Sequence, residues 1–126
     1  MSTERTFRAG DVGDHWDAVS SELDRAFQMS RAAALAGESF VYVLHSDDLL
    51  GRRGPGGAMI AAGLVSAART AALEGSRLGW SANVVAYDEG TEEAEVDRWV
   101  KRMLDSRGVT GQLIQIGPGH VGKALS

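Results

Sequence analysis

Three consecutive residues, His45, Ser46 and Asp47, carry a base, a hydroxyl nucleophile and an acid. In a hydrolytic triad these groups converge from separate parts of the chain, and three sequence neighbours cannot point at one reacting atom. They follow the apolar run 40–45, which predicts a buried strand, and open α/β sheets bind ligands at the carboxyl ends of their strands. We therefore predict Ser46 as a ligand contact and His45 as a packed or hydrogen-bonded loop residue.

A glycine-rich loop at 51–57 carries two adjacent cations, Arg52 and Arg53, and precedes a predicted helix. Their forked guanidinium groups could bind a phosphate or a carboxylate. The loop lacks the Lys-Ser/Thr pair of a P-loop. Arg52 and Arg53 are therefore candidate ligand contacts, and a solvated loop is the alternative.

Residues 117–122 match the pattern G-x-G-x-x-G after a predicted strand, and Lys123 follows them. The nucleotide-binding form of this pattern needs a helix whose N-terminus holds a pyrophosphate. The four residues after Gly122 are too few for such a helix. We interpret the segment 117–123 as a C-terminal turn with a tail that could touch a partner.

Metal binding is not predicted, because the chain has no cysteine and its histidines are scattered. The lack of cysteine excludes disulfides, thiolate metal sites and cysteine nucleophiles. His15, His45 and His120 show no metal-ligand spacing.

Length and charge narrow the function classes further. A chain of 126 residues suits one domain, 1–126, and is too short for a complete dinucleotide-binding oxidoreductase with two βαβαβ halves. The net charge is −4 and the basic residues form no run, which argues against nucleic acid and anionic membranes. No secretory signal is visible and no apolar stretch approaches the roughly 20 residues of a membrane span. A cytoplasmic location is expected.

Hydrophobic periodicity predicts alternating helices and strands. The helices are predicted at 12–36, 57–75 and 91–106, the buried strands at 40–45, 81–87 and 112–116, and a loop at 47–56. Residues 1–10 are predicted to be disordered or to contain a short strand at 6–8. This alternation predicts an α/β, three-layer Rossmann-like fold. Its short parallel sheet has three strands, or four with 6–8, joined by right-handed crossovers.

Side chains at the helix ends and along the apolar stripes complete this prediction. Asp14 and Thr91 are expected to cap the first and third helices through free backbone amides. Gly37 is expected to end the first helix. The aromatic residues Trp16, Phe27 and Trp99 lie on helix stripes and are predicted to be in the core.

Five stretches, in order and spacing, resemble the C-terminal half of the short-chain dehydrogenase/reductase family, from about residue 14 to residue 120. They are the helix around Trp16–Ala33, the strand Phe40–Ser46, the helical segment Gly63–Gly75, the strand Leu78–Ala86 and the final strand Thr110–Ile116. The resemblance implies a truncated Rossmann-like fold in which Ser46 matches the family's catalytic serine. It also implies oligomer contacts through the helices at 12–36 and 57–75.

The resemblance fails where that family does its chemistry. The family's tyrosine and lysine fall on Gly57 and Ala61, and its helix asparagine falls near Glu22. The Pro-Gly turn that touches the nicotinamide in relatives is Tyr87-Asp88 here. Neither glycine nor alanine can transfer a proton or hold a ribose. We therefore expect no catalytic residue, no bound cofactor and no metal.

These departures predict a non-catalytic subunit that assembles with itself or with a full-length member of the family. One alternative is a divergent oxidoreductase, or a half-subunit that completes a shared NAD(P)-dependent active site through Ser46 or the segment 117–123. Another alternative is a homodimer that binds a small molecule.

Overall fold

A computed structural model describes residues 4–118 as alternating strands and helices. The elements are β1 (Thr6–Arg8), α1 (Trp16–Leu35), β2 (Phe40–His45), α2 (Ser46–Leu49), α3 (Pro55–Leu78), β3 (Ala82–Tyr87), α4 (Glu93–Asp105) and β4 (Leu113–Ile116). The four strands are parallel and lie side by side in sequence order. The predicted α/β fold with a parallel sheet is confirmed, and residues 6–8 form the additional strand.

The sheet is covered by helices on both faces, as expected for three layers. Phe40, Tyr42 and Leu44 of β2 belong to the core cluster shared with α1 and α3. Val41 and Val43 belong to the cluster on the opposite face, which is shared with α4. All six β2 residues are buried, because a parallel strand between two helical layers has no solvent face.

The crossovers are not all of one hand. Each of the three helical connections steps to the next strand in the same direction along the sheet. The connections through α1 and α3 run over one face, and the connection through α4 runs over the other. The third crossover therefore has the opposite hand to the first two. The prediction that all crossovers are right-handed is wrong. Such an exception to the usual hand is rare.

Helix α1 buries a different stripe from the predicted one. Val19, Ala26 and Ala33 face the core, while Trp16 and Phe27 are 64% and 58% exposed. The prediction of these two aromatics as core residues is wrong. Since α1 packs against both the sheet and α3, its inner face is made of small residues and the large ones lie outside.

Trp99 on α4 packs at the edge of the second core cluster and is partly buried. Its indole Nε1 donates a hydrogen bond to Glu95 Oε1 at 2.9 Å. Glu92 is the N-cap of α4, with no side-chain capping bond. The expected cap, Thr91, instead donates its hydroxyl proton to the Asp88 carbonyl oxygen at 2.7 Å.

Helix α3 is longer than predicted at both ends. Pro55 lies in its first turn and Gly79 ends it at a φ of 90°, in keeping with the preference for proline at the start and glycine after the end. This helix of 24 residues contains an 18-residue window with a mean hydropathy of 1.3, so it satisfies the length and composition of a membrane span. This finding differs from the expectation that no apolar stretch approaches the length of a membrane span, because the many Ala residues of α3 count as apolar on the hydropathy scale. Its inner face, including Ile60 and Leu64, packs on the sheet.

The region predicted as the loop 47–56 is partly helical. It begins inside a short helix, α2, and the last two residues already belong to α3. The His45 side chain caps α2 by accepting a hydrogen bond from the Asp47 amide. Gly51 has a φ of 69°, a conformation that glycine adopts without strain.

Candidate functional site

The candidate site lies at the carboxyl edge of the sheet, where β2 and β3 end side by side. His45 and Tyr87 are register partners at the ends of these strands. Ser46 and Asp88 follow them directly and therefore meet. This is the edge at which open α/β sheets bind ligands.

Ser46 is buried and its hydroxyl is engaged by the chain itself. Its Oγ lies 2.7 Å from Asp88 Oδ1 and 2.8 Å from the Tyr87 carbonyl oxygen. A serine hydroxyl has one proton, so it donates to one of these acceptors at a time. Ser46 thus links the end of β2 to the end of β3.

His45 is a packed, hydrogen-bonded side chain, as predicted, and it forms no triad. Its Nδ1 accepts a hydrogen bond from the Asp47 backbone amide at 3.0 Å. Its Nε2 lies 3.0 Å from Glu89 Oε2. Because Nδ1 is an acceptor, these contacts assign the proton of the neutral ring to Nε2. The ring also meets the Tyr87 ring edge-on, at 5.2 Å between centroids.

Arg52 and Arg53, the two candidate anion contacts, both pair with carboxylates of the chain. Arg53 forms a two-pronged pair with Asp48: Nε to Oδ1 at 3.0 Å and Nη2 to Oδ2 at 2.7 Å. This hydrogen-bonded carboxylate raises the pKa of Arg53 above its ordinary value. Arg52 is exposed and lies 3.5 Å from Asp47 Oδ1.

Asp48 is the residue that sequence reasoning missed. It is only 5% exposed, and the sequence placed it in the loop 47–56 without a functional or structural role. The sequence offers one signal for the pairing of Asp48 with Arg53. The two residues lie five positions apart, with Gly51 between them and Gly54 directly after Arg53. A buried carboxylate needs a charged or hydrogen-bonding partner, and Arg53 supplies it.

The space beside Gly57 is filled by Asp48. A Cβ at position 57 would overlap Asp48 Oδ1 and lie 2.8 Å from Asp48 Cγ, closer than the 3.0 Å limit seen for real Cβ atoms. Ala61, one helical turn further along, is 1% exposed and packed in the core. The first side-chain atom at position 57 would therefore collide with Asp48, and position 61 is enclosed by core residues.

The N-terminus of α3 is capped from within the chain. The Gly56 amide donates to Asp14 Oδ1 at 2.9 Å, and a Cβ at position 56 would overlap the Gly13 carbonyl oxygen. Asp14 was expected to cap α1, but His15 is the residue at that position and makes no side-chain cap. The carboxylate instead occupies the place where an anion would bind at a helix N-terminus.

Asp14 should therefore stabilise α3 rather than α1. Replacing Asp14 with alanine is expected to lower the free energy of unfolding by about 1 kcal/mol, the usual value of a lost N-cap. Asp11→Ala is the matched control, because the Asp11 carboxylate makes only a long hydrogen bond with the local Gly13 amide, at 3.3 Å, and a distant, exposed ion pair with Arg53, at 3.8 Å. Urea denaturation of both variants measures the difference, and equal effects would contradict the assignment.

Glu22, the residue near the family's asparagine position, is also buried. It is 1% exposed, its Oε2 accepts a hydrogen bond from the Gly10 amide at 2.6 Å, and Oε1 forms an ion pair with Arg25. These contacts tie α1 to the segment that follows β1. Among the described residues, Oε1 has this ion pair but accepts no hydrogen bond of normal geometry, so the Gly10 amide is its defined structural partner.

The described part of the C-terminal motif is Gly117 and Pro118, and the remainder of 117–123 lies outside the described residues. Gly117 has a φ of 119° and packs where a Cβ would overlap Thr91 Oγ1. Within residues 4–118, no cluster of three or more His, Asp or Glu side chains could hold a metal ion.

The comparisons with known proteins identify a fold. No protein family and no curated protein matches the sequence. Among solved structures, the chain resembles a provisionally named 3-oxoacyl-reductase from Bacillus thuringiensis, with a TM-score of 0.59 and 16% identity over 81% of this chain. The chain spans about half the length of that structure, covering 55% of it. At this identity the likeness supports a distant fold of the short-chain dehydrogenase/reductase type.

Proposed function

We propose that this chain is a non-catalytic, reductase-like subunit that assembles with itself or with a full-length short-chain dehydrogenase/reductase. The observation that carries the proposal is the Asp48 carboxylate beside Gly57. It lies where the Cβ of a proton-donating tyrosine at this position would have to be. The site is therefore closed at the position where the family it resembles performs proton transfer.

The remaining polar groups at this edge support the same interpretation. Each of the three candidate ligand contacts already has a partner within the chain: Ser46 with Asp88, Arg52 with Asp47, and Arg53 with Asp48. A ligand at Ser46 or Arg53 would have to displace these partners and leave a buried group, Ser46 or Asp48, unpaired, which is costly. This arrangement suits a structural edge better than a substrate site.

The outward faces of α1 and α3 support assembly. Trp16 and Phe27 lie eleven residues apart on α1, which places them on the same side after three turns. Met59 and Leu73 on α3 are likewise exposed. Large apolar side chains grouped on neighbouring helices commonly mark a protein interface. The proposed partner is a second copy or a full-length relative that presents equivalent helices.

Cofactor titration is the direct test of the lost chemistry. We expect NADH and NADPH fluorescence to be unchanged by the purified chain at up to millimolar cofactor, and no oxidation of either with a 3-oxoacyl thioester. Micromolar cofactor binding or turnover by the chain alone would overturn the proposal and favour a divergent oxidoreductase. Turnover that needs both this chain and a relative with an inactivated site would favour the half-subunit alternative.

Assembly is tested with a charge placed on the outer face of α3. Leu73→Glu is expected to shift the chain from dimer or larger species toward monomer in sedimentation velocity, because it puts a carboxylate into a desolvated contact. Leu50→Glu is the matched control: Leu50 is 61% exposed against 75% for Leu73, and it lies outside α1 and α3. The assembly proposal is wrong if the parent chain is a monomer and also does not bind a full-length relative.

A further inference from the structure

The last strand of the sheet, β4, has a free edge. On its inner side, the carbonyl oxygens of Gln112 and Ile116 accept hydrogen bonds from Val84 and Asp88. Backbone N–H and C=O groups of alternate residues point to opposite sides of a strand, so those of Leu113 and Gln115 face away from β3. Within residues 4–118 no strand lies on that side and these groups have no hydrogen-bond partner. The edge therefore offers two donors and two acceptors.

The composition of β4 leaves this edge unprotected. Exposed strand edges are usually blunted by a charged side chain or a proline, and Leu113–Ile116 contains neither. The opposite edge strand, β1, has only three residues and carries Arg8, whose side chain pairs with Asp97 of α4 at 3.0 Å. Of the two edges, β4 is therefore the one more open to pairing with another extended segment.

An apolar groove of about 510 Å³ lies beside this edge, between α3 and β4. The Leu113 side chain points to the α3 side of the sheet and packs at the margin of that core cluster. A strand added to β4 would alternate its side chains between the two faces of the sheet, so every second one would lie on the side of the groove. The remaining apolar lining suits a small or branched apolar side chain there: Leu49, Ala58, Ala62 and Val65.

Arg69 sets the charge that the groove can accept. Among the described residues that line it, only Arg69 is charged, and within residues 4–118 this side chain has no ion pair or hydrogen bond. Its forked donors match the two oxygens of a carboxylate. The β4 strand of a second copy would bring no carboxylate, because residues 110–118 contain no Asp or Glu. The charge therefore favours an acidic segment of another protein over self-pairing.

We propose that the free edge of β4 and its groove bind an extended segment of a partner protein, with an apolar and an acidic residue two positions apart. Such residues lie on the same face of a strand, so the apolar one enters the groove and the acidic one meets Arg69. Main-chain hydrogen bonds to Leu113 and Gln115 supply affinity, and the groove supplies specificity. The proposal does not rest on the proposed function, which places assembly on the outward faces of α1 and α3.

Binding of a labelled peptide, KTVTDTVK, tests the edge. It should bind with micromolar affinity in fluorescence anisotropy and shift the Leu113 and Gln115 amide resonances of ¹⁵N-labelled chain. Gln115→Pro removes one outward donor, a change that edge strands tolerate, and should weaken binding about three- to tenfold, the usual effect of one hydrogen bond. Gln115→Ala keeps the donor and should bind as the parent does. Equal affinity of the two folded variants, or binding only above millimolar peptide, would overturn the proposal.

A second peptide, KTVTNTVK, tests the charge. It lacks the carboxylate and should bind about three- to fivefold more weakly, the size of an exposed ion pair. Nonspecific attraction to this acidic chain would act in the opposite direction. Arg69→Gln should weaken binding of the acidic peptide equally, and the two changes together should cost no more than one. Arg77→Gln is the control, since Arg77 is exposed on the same helix outside the groove. Independent effects of the two changes would remove Arg69 from the site.

Sedimentation velocity of Gln115→Pro reports the competing occupant, a second copy of the chain. If this variant shifts dimers toward monomer, β4 pairs with β4 and the proposal is wrong. Leu73→Glu, which tests assembly through the outward face of α3, should leave the affinity for KTVTDTVK unchanged. The peptide site and the proposed function can therefore fail separately.

Discussion

Replacing Gly57 with alanine is expected to lower the free energy of unfolding by about 2 kcal/mol or more, as overpacking of a closed site does. The new Cβ would overlap Asp48 Oδ1. Asp48 cannot simply rotate away, because Arg53 holds both of its oxygens. Tyrosine at this position should destabilise the chain further, since it extends the same collision by a ring.

Gly63→Ala is the matched control for this prediction. It lies on the same helix, and its Cβ would meet Leu23 Cδ2 at 3.4 Å, an ordinary contact distance. Alanine is favoured over glycine in a helix by about 1 kcal/mol, so this variant should be as stable as the parent or more so. Denaturant titrations of both variants measure the free energy of unfolding. A Gly57→Ala chain as stable as the parent would contradict the predicted collision with Asp48.

Coupling to Asp48 separates this collision from a general cost of altering the helix. In an Asp48→Ala background the space beside position 57 is empty, so Gly57→Ala should cost less there than in the parent. Residues in contact typically show interaction energies of about 0.5–3 kcal/mol in such cycles. Strict additivity of the two changes would place the cause elsewhere.

Restoring the family's residue pair should not restore chemistry. The double variant Gly57→Tyr with Ala61→Lys is expected to remain without reductase activity and to unfold at lower temperature than the parent. The reason is that Ala61 is packed in the core and Asp48 blocks the tyrosine. Activity in this variant would show that the closed site adapts readily, and the pseudoenzyme proposal would then lose its main support.

The strands were predictable because their signal is local. The run at 40–45 is apolar up to Leu44 and bounded by turn residues, and it forms β2 with the predicted limits. The alternation of strands with helices was enough to give a parallel sheet. For residues 1–10 the prediction left disorder and a short strand at 6–8 open, and the structure has the strand Thr6–Arg8.

The side of each helix that faces inward was harder to predict. Hydrophobicity alone placed Trp16 and Phe27 in the core, yet α1 presents small residues to the sheet and α3. Close packing of two helices against a sheet selects for residue size as well as polarity. A single sequence contains no information on how near α3 lies, so the stripe was misassigned.

The candidate site was only partly predictable for a related reason. Ser46 was placed correctly at the carboxyl end of β2, because that depends on a strand limit. The partners of Asp14 and Asp48 depend on contacts across the fold, with Gly56 in the first case and with both Arg53 and Gly57 in the second. Sequence neighbourhood favoured the local capping role for Asp14, and the tertiary contact replaced it.

Arg53→Ala is expected to produce the second large effect, a loss of about 2–3 kcal/mol of stability. Removing one partner of a buried ion pair leaves an uncompensated charge in the interior. Asp48 is that charge here, since its side chain is 6% exposed. The figure is at the low end because the Arg53 side chain is 29% exposed and solvent screens part of the interaction.

Arg52→Ala is the control with the same chemistry in an exposed position. Arg52 pairs with Asp47 at 3.5 Å, and its side chain is 61% exposed. Surface pairs of this kind contribute roughly 0–1 kcal/mol. Thermal and denaturant unfolding should therefore separate the two arginines clearly, and similar losses would show that the Asp48 pair is not a buried anchor.

Removing Asp48 and removing Arg53 should lower the free energy of unfolding by unequal amounts. Asp48→Ala leaves a guanidinium that can reach water, whereas Arg53→Ala leaves a carboxylate that cannot do so without moving the start of α3. We therefore expect Asp48→Ala to cost less than Arg53→Ala, and the double variant to cost little more than Asp48→Ala alone, because it buries no unpaired charge. If Asp48→Ala proves the more damaging, the carboxylate must support the glycine-lined start of α3 by a route other than Arg53, and the closed site at Gly57 would need a different explanation.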